Sequence, residues 1–566
     1  MSYELLLINV SRDYSSLSSA FRDSIGQYAI ASYLRQRNFK AFVYSGNAGD
    51  CKKIIAQEIE SGNVYIIGFY AAADNIRIVE HIVRWIKEMY PNCITIIGGP
   101  QVAGLDYNFF ERSKNDYAIL GEGEIPIYSL LSSIIDKDRE LSCVPSLVWK
   151  NYDEECLYVN SESGAIIEDL DSIGYPHLED SYAGNLRQGH TVGIITGRGC
   201  PYNCSFCYEG ANAKNVRFRS ISNVMEEIDY IRKYNNKLKF ISIYDDTFTL
   251  KRDRILEFCR EIKKRKILWF CEGHISFVVS QQEILKTMID AGLACIQFGI
   301  ESGSDMVLDS YNKHTNYQMI LEAIDICKKM GIHGITGNFI IGGAHESKES
   351  LAESKKLAKE MIHRAKGIIE LYTVYFAPYP NTKMVRKPEN FGIQIHEKLQ
   401  NTVVNTMRTP VVSTENLSRN EIYDMKQEFD LFISQEYQKA ADESSKSDIV
   451  QGMMHEGKMI SINPTWEKLY RSKLHIDVFL QHMTEKEQKF NKDYYIIRTF
   501  EDFKIENQIL ISEVGRFKGL QKDILLNATG ILSAREMANK FDVKIEDIEN
   551  AYDTLNEKCL VYISEF

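Results

Sequence analysis

Gly199-Cys200-Pro201-Tyr202-Asn203-Cys204-Ser205-Phe206-Cys207-Tyr208 is the stretch on which the reading of this chain turns. It sets three cysteines at C-x3-C-x2-C spacing directly after an apolar run, Thr191-Val192-Gly193-Ile194-Ile195-Thr196. The run reads as a buried strand, and Gly197, Gly199 and Pro201 force a loop immediately after it. A short loop can turn three thiolates toward one centre. Iron–sulfur clusters are held by thiolates, commonly four, so three would leave one iron open to a small molecule. The competing readings are three buried structural cysteines, or a zinc site completed by a distant ligand. Structural zinc sites usually draw ligand pairs from two separate places, and no second Cys/His pair at matching spacing stands elsewhere.

Outward from the loop, the chain runs to 566 residues, enough for roughly two to four domains. With 44% hydrophobic and 26% charged residues it has the composition of an ordinary folded protein. A net charge of −11 argues against a general polyanion binder, which needs surplus Lys and Arg. Twelve cysteines, behind an N-terminus that reads as a first strand rather than a leader, predict a reducing cytoplasm and thiols rather than disulfides. No apolar stretch approaches the ~20 residues a membrane span needs.

Residues 1–140 alternate strand-like runs (5–10, 41–44, 64–69, 94–97, 117–120) with helical patterns (25–37, 52–61, 75–90), Ser24 being a candidate N-cap. Such alternation predicts a doubly wound, Rossmann-like α/β domain with a parallel sheet. Ligands in such sheets bind beyond the carboxyl ends of the strands. Those ends read Asn9-Val10-Ser11, Tyr70-Ala71-Ala72-Ala73, Gly98-Gly99-Pro100-Gln101 and Gly121-Glu122-Gly123-Glu124. Glycines there let the backbone approach a flat ligand, but none of the loops is a Gly-x-Gly-x-x-Gly fingerprint, which argues against a dinucleotide. Residues 141–187, with a hairpin-like pattern at 146–150 and 156–160, read as a linker.

Over residues 188–395 the alternation resumes with six strand-like runs at 191–196, 239–244, 268–271, 295–300, 335–341 and 371–376. Six strands with intervening helices predict a partial (β/α)6 barrel whose chemistry gathers at the carboxyl ends. Asp245 and Asp246 end the second strand; a divalent-metal site and a helix N-cap compete with a cofactor contact there. Glu301 and Ser302 end the fourth, followed by Lys313. Arg198, Arg217 and Arg219 flank the cysteine loop, where a cation can pair with a carboxylate. His274 and His345 follow the third and fifth strands as candidate proton donors or acceptors, and Tyr379 follows the sixth.

The cysteine loop resembles the Cys-x3-Cys-x-aromatic-Cys motif of the radical SAM family. The resemblance implies a [4Fe–4S] cluster on Cys200, Cys204 and Cys207, with S-adenosylmethionine on the fourth iron and Phe206 beside the adenine. It implies cofactor contacts from Asp245 and Asp246, from Glu301 or Ser302, and from Arg198, Arg219 and Lys313. Gly299-Ile300-Glu301-Ser302-Gly303 and 375–382 are similar to loops of the cobalamin-associated subgroup, and the first domain resembles its cobalamin-binding domain. That likeness implies cobalamin contacts from Tyr70, Ala71, Gly98, Gly99, Pro100, Gln101, Glu122, Gly123 and Glu124. The Asp-x-His-x-x-Gly motif of cobalamin mutases is absent and His81 falls mid-helix, so no histidine of this domain should reach cobalt. Gly342-Gly343-Ala344-His345-Glu346-Ser347 departs from the Gly-x-Pro-Gly-Glu-Thr of relatives, and His274 stands where many have arginine.

Residues 396–515 read as mainly helical, and 516–566 as a winged-helix-like module opened by the capping box Ser533-Ala534-Arg535-Glu536. The last helix offers Glu546, Asp547, Glu549, Asp553 and Glu557, which repel nucleic acid, so no DNA is expected. The module also resembles winged-helix domains that grip leader peptides. Together these features predict a cobalamin-dependent radical SAM methyltransferase acting on a small molecule or peptide, reduced by a flavodoxin or ferredoxin. Cyclisation, epimerisation or rearrangement without methyl transfer, and a redox-sensing regulator, are the alternatives.

Overall fold

Alternation along β1 (Leu5–Val10) sets the first layer. Leu6, Ile8 and Val10 pack with Ile67, Phe69, Val79 and Ile82, while Leu5 and Leu7 pack with Leu34, Ile127 and Leu130 on the opposite face. A strand buried on both faces belongs inside a parallel sheet. In the computed structural model β1 lies between β2 (Ala41–Gly46) and β3 (Ile66–Tyr70), and β4 (Ile94–Gly98) and β5 (Tyr117–Ile119) continue the parallel pairing. The structure describes residues 4–10, 25–72, 75–136, 140–151, 154–161, 165–175, 191–213, 215–396, 409–473, 490–499, 503–512 and 515–564. Ser11, Ala73 and the candidate cap Ser24 lie outside them. The connecting helices are α1 (Ile25–Arg35), α2 (Ala48–Glu60), α3 (Ile76–Met89), α4 (Tyr107–Ser113) and α5 (Glu124–Leu131). α1 and α5 cover the Leu5/Leu7 face and the other three cover the reverse, which is the doubly wound arrangement.

One boundary is corrected. β6 (Leu147–Asn151) and β7 (Cys156–Val159), read from the sequence as part of a linker, add antiparallel strands to β5 and complete a seven-stranded sheet ordered β2-β1-β3-β4-β5-β6-β7. The hairpin supplies partners to an edge that would otherwise expose unpaired backbone groups. Residues 169–175 then staple the domains together: Ser32 Oγ donates to Tyr175 O at 2.6 Å, and Ser220 N donates to Asp171 at 2.9 Å.

The second sheet is wholly parallel, ordered β15-β14-β13-β12-β11-β8. Its strands are β8 (Thr191–Ile194), β11 (Phe240–Ile243), β12 (Leu268–Glu272), β13 (Leu293–Glu301), β14 (Gly334–Ile341) and β15 (Ile369–Tyr375). Between β8 and β11, β9 (Gly197–Arg198) and β10 (Arg217–Phe218) form a short antiparallel pair. One face of each strand is apolar: Val192, Ile194, Ile241, Ile243, Trp269, Ile296, Phe298, Ile335 and Phe339 form a common core with the surrounding helices. The alternate residues line the inside, where Gln297, Asn338 and Tyr372 stand on adjacent strands and Tyr372 is 48% exposed. The helical region C-terminal to this open barrel closes it in two places. Ile462 packs toward Gly334, and Thr465 N donates to Glu370, at the amino ends of the strands. At the β15 edge, Leu371 N donates to Tyr437 Oη, and Ile369 O accepts from Tyr437 Oη and Trp466 Nε1. Side chains of the helical region thus satisfy backbone groups that an edge strand leaves open.

The terminal module starts earlier than the sequence boundary of 516. Its sheet pairs β16 (Tyr495–Arg498) on one side with β20 (Thr529–Ser533) and on the other with β21 (Val561–Ser564). A second sheet, β17 (Phe503–Glu506), β18 (Ile509–Ser512) and β19 (Gly515–Phe517), packs on the same core through Leu510 and Phe517. The Ser533–Glu536 capping box forms as the sequence predicts. No helix among the described residues is long and apolar enough to cross a membrane.

Candidate active site

The cysteine loop is bent by three devices. The β9–β10 pairing folds the chain back on itself. Gly199 adopts φ +89°, and a Cβ there would lie 2.5 Å from Asn215 O, so only glycine fits. The third device is the carboxylate pair at the end of β11. Asp245 accepts from both Thr196 N and Thr196 Oγ1 at 2.6 Å, and Asp246 accepts from Gly199 N at 2.8 Å. Asp245 is 2% exposed, and burial pushes it up to about 6. It anchors the loop's entry rather than facing a cofactor, a correction to the sequence reading; Asp246 remains half-buried at the mouth. Further on, Ser205 N donates to Tyr311 O at 2.9 Å, and Asn312 Nδ2 to Asn203 O at 3.1 Å.

Cys200 is buried, Cys204 and Cys207 half-buried. Burial pushes the Cys200 thiol up to about 12 and Cys207 to about 11, and raises Cys204. Such thiols ionise when a cation compensates them, so metal uptake releases their protons. Among the described residues no three His, Cys, Asp or Glu side chains converge as a single ion requires. A four-iron cube asks for less, because each thiolate meets its own iron. The donor set fits that group.

Beside the cysteines, Lys313 Nζ sits 2.8 Å from Glu301 Oε1, with Glu301 buried and Lys313 half-buried. Burial opposes the charge of Lys313, and Glu301 with Cys204 more than restores it. Glu301 holds φ +64° at a bulge in the β13–β14 pairing. Strained backbone of this kind persists where surroundings impose it. Phe206 packs edge-on against Tyr311 with centroids 5.0 Å apart.

Several predicted residues do other work. Ser302 is fully buried and turned outward, its Oγ bonded to Ser354 Oγ and Ser304 N, so it does not reach the cavity. Arg219 is 8% exposed and clamped by Glu227, Asn223 and Ile195 O. His274 stacks on Tyr202 at 4.5 Å, accepts from Ser276 N at Nδ1 and donates from Nε2 to Lys313 O. Burial pulls it down to about 4, so it is a neutral brace between loops, not a proton relay near neutrality. His345 lies on a surface loop, its Nδ1 2.8 Å from Glu415 Oε1. Tyr379 packs against Tyr208 beside the cysteine loop, centroids 6.2 Å apart.

The two domains meet through charge. Arg198 pairs with Glu124 at 2.6 Å and Glu122 at 3.2 Å, and Arg217 pairs with Glu122 and donates to Ile167 O. Burial raises Glu122, but Arg217 and Arg198 outweigh it and hold the carboxyl below its ordinary value. Glu122, Glu124 and Arg198, predicted as cofactor contacts, pair with one another across this clamp. Pro380 of the barrel also packs against Gly104. The strand ends of the first sheet consequently face the cysteine loop. There Gly99, at φ +112°, brings its backbone against Ala71; Ala71 N donates to Gly98 O at 2.7 Å, and Gln101 N to Ala71 O at 3.2 Å. Tyr70, Pro100 and Gln101 are half-buried around this turn, Ala71 is fully buried, and Gly123 packs on Ile30. Gly98 and Gly121 open onto free space, a bare backbone floor that fits a flat macrocycle. His81 is exposed on α3 beside Arg84, away from the floor.

Sequence reasoning missed Glu346. It is fully buried, Oε2 accepts from Gly342 N, Oε1 has no hydrogen-bond partner, and burial pushes it up to about 8. It also missed the inner row of Gln297, Asn338 and Tyr372, although the polar/apolar alternation of β13 and β14 carries that signal.

A Radical SAM superfamily model matches residues 194–358, and a B12 binding domain model matches residues 23–131. The chain is 29% identical over 340 residues to an uncharacterized methyltransferase of Pyrococcus horikoshii, covering 58% of this chain and 70% of that one. It is 29% identical over 311 residues to the anaerobic magnesium-protoporphyrin IX monomethyl ester cyclase of Rubrivivax gelatinosus, covering 52% and 54%. The fold is similar to that of the cobalamin-dependent S-adenosylmethionine radical enzyme OxsB, with TM-score 0.62 and 16% identity over 86% of this chain and 72% of that one. A glycine-floored α/β domain clamped over a three-cysteine barrel loop is thus a B12-binding domain set over a radical SAM domain. The chain carries both a radical SAM domain and a B12-binding domain, a pairing whose cofactors are a [4Fe–4S] cluster, S-adenosylmethionine and cobalamin.

Proposed function

We propose that this enzyme methylates an unactivated carbon of a peptide or other natural-product substrate in the cytoplasm. When bound, the cluster, S-adenosylmethionine and cobalamin supply an electron, a 5′-deoxyadenosyl radical and a methyl group. The observation that carries the reading is the Arg198/Arg217–Glu122/Glu124 clamp, which seats the open glycine floor over the cysteine loop. The remaining chemistry of the chain is positional. Asp245 and Asp246 fix the loop that bears the thiolates, and the Lys313–Glu301 pair sets a cation beside Cys204. Phe206 offers an aromatic edge to an adenine. Gln297, Asn338 and Tyr372 offer uncharged donors and acceptors inside the barrel, suited to amide or hydroxyl groups of a substrate. The likeness of the terminal module to leader-gripping winged helices supports a peptide.

A radical cyclisation without methyl transfer is the second reading, favoured by the relative named as a cyclase. Anaerobic turnover with S-adenosylmethionine and reductant separates the two. Methylation adds one CH2 to the product and yields S-adenosylhomocysteine alongside 5′-deoxyadenosine; cyclisation yields 5′-deoxyadenosine alone. A fully reconstituted protein that forms no 5′-deoxyadenosine would overturn both.

A further inference from the structure

Lys383, Arg386 and Lys387 form an exposed basic ridge against the cysteine loop. Lys383 and Arg386 bound a single helical turn, whose Met384 N donates to Ser205 O at 3.1 Å, one residue from Cys204. Thr382 and Met384 are buried and anchor the turn, which leaves the three cations pointing to solvent. Among the described residues none of the three has an ion-pair or side-chain hydrogen-bond partner. Many surface cations of this chain do have one: Arg265 pairs with Asp229, Arg364 with Asp325 and Lys439 with Glu436. Three like charges within five residues, unpaired among the described residues, repel one another. The Lys383 charge is also felt at the Cys204 thiol, which sets the ridge electrostatically close to the thiolates.

We infer that the Lys383–Arg386–Lys387 ridge is the docking surface for an acidic one-electron carrier protein that reduces the cluster. The inference rests on the radical reading above, which requires an electron from outside for each cleavage of S-adenosylmethionine. The step is outer-sphere: the reduced carrier gives up one electron, the cluster gains one, and no bond is made or broken. A body of net charge −11 repels an acidic carrier over most of its surface, so a local basic ridge orients the encounter. Steering of this kind raises association rates by roughly 10- to 1,000-fold and falls steeply with ionic strength.

The test uses the holoenzyme and reduced flavodoxin as the probe, with the variant Lys383→Glu/Arg386→Glu/Lys387→Glu. Calorimetric titration at low salt should show binding weakened roughly tenfold or more, with the wild-type salt dependence largely lost. Formation of 5′-deoxyadenosine driven by saturating dithionite should fall far less than the flavodoxin-driven rate. A control, Lys263→Glu/Lys266→Glu on a distant helix end, should bind as wild type; an equal loss there would assign the effect to net charge and overturn the ridge. Unchanged affinity and salt dependence in the triple variant would overturn it outright. Calorimetry reads docking independently of turnover, so wild-type protein that is inert with dithionite would count against the radical reading alone.

Discussion

Removing Arg198 tests whether charge holds the domains together. In Arg198→Met, Glu124 loses its ion-pair partner while 2% exposed, whereas Glu122 keeps Arg217. An uncompensated buried charge costs about 3–5 kcal/mol, a large share of the roughly 5–15 kcal/mol that stabilises a typical protein. With urea slopes of about 1–3 kcal/mol per M, a loss of about 3 kcal/mol lowers the unfolding midpoint by about 1–3 M. Tryptophan fluorescence follows both sides, since Trp85 and Trp149 belong to the first domain and Trp269 and Trp466 pack in the barrel core. Adding Glu124→Gln removes the orphaned charge, so the double variant should recover most of the loss and the single effects should not add. Acid gives an independent reading. Glu122 is held below its unfolded value, so the unfolded chain takes up that proton first. The stabilisation is present above the ordinary carboxylate range and is lost as pH falls through the depressed folded value. Arg198→Met should flatten that acid limb. A single variant within about 0.5 kcal/mol of wild type, with an unchanged acid limb, would refute the clamp.

Cys204→Ala should abolish 5′-deoxyadenosine formation and lower iron content after reconstitution; retained reductive cleavage would sink the cluster assignment. Gly99→Ala forces φ +112° on an L-residue and sets its Cβ 2.6 Å from Ala71 O. Strain of about 1–3 kcal/mol in the floor itself should cost tenfold or more in cobalamin affinity, read as corrin absorbance retained through gel filtration. Glu346 is raised to about 8, above its unfolded value, so its contribution is fully present below the ordinary carboxylate range and is lost as pH rises toward 8. Glu346→Gln cannot titrate, and its melting temperature should stop declining between pH 5 and 9; a slope equal to wild type would show that no proton resides there.

The layers were legible because burial writes itself into local pattern. A strand such as Leu5–Val10, apolar at every position but Asn9, announces two covered faces, and the six barrel runs were found within two or so residues of their observed ends. What failed was everything set by partners distant in sequence. The 147–159 hairpin carries an ordinary strand pattern, but its membership in the first sheet depends on the free edge of β5. Gly-Ile-Glu-Ser-Gly names two polar side chains without saying which faces inward. The bulge at Gly299–Glu301 decides it, turning Glu301 toward Lys313 and Ser302 toward Ser354.

The same limit explains why the ion pairs of the motif loops were not foreseen. Arg198 meets Glu124 across 74 positions and Arg217 meets Glu122 across 95, separations that no local pattern encodes. A charge near a cofactor loop reads as a ligand contact when its partner is invisible. Yet a flat macrocycle approached face-on asks for little side chain beneath it, which is what Gly98 and Gly121 provide. The ionic side chains are then free to register one domain on the other. That division also predicts how the site tolerates change: neutral substitutions in pairs across the clamp should preserve the cleft, whereas one Cβ on the floor should not.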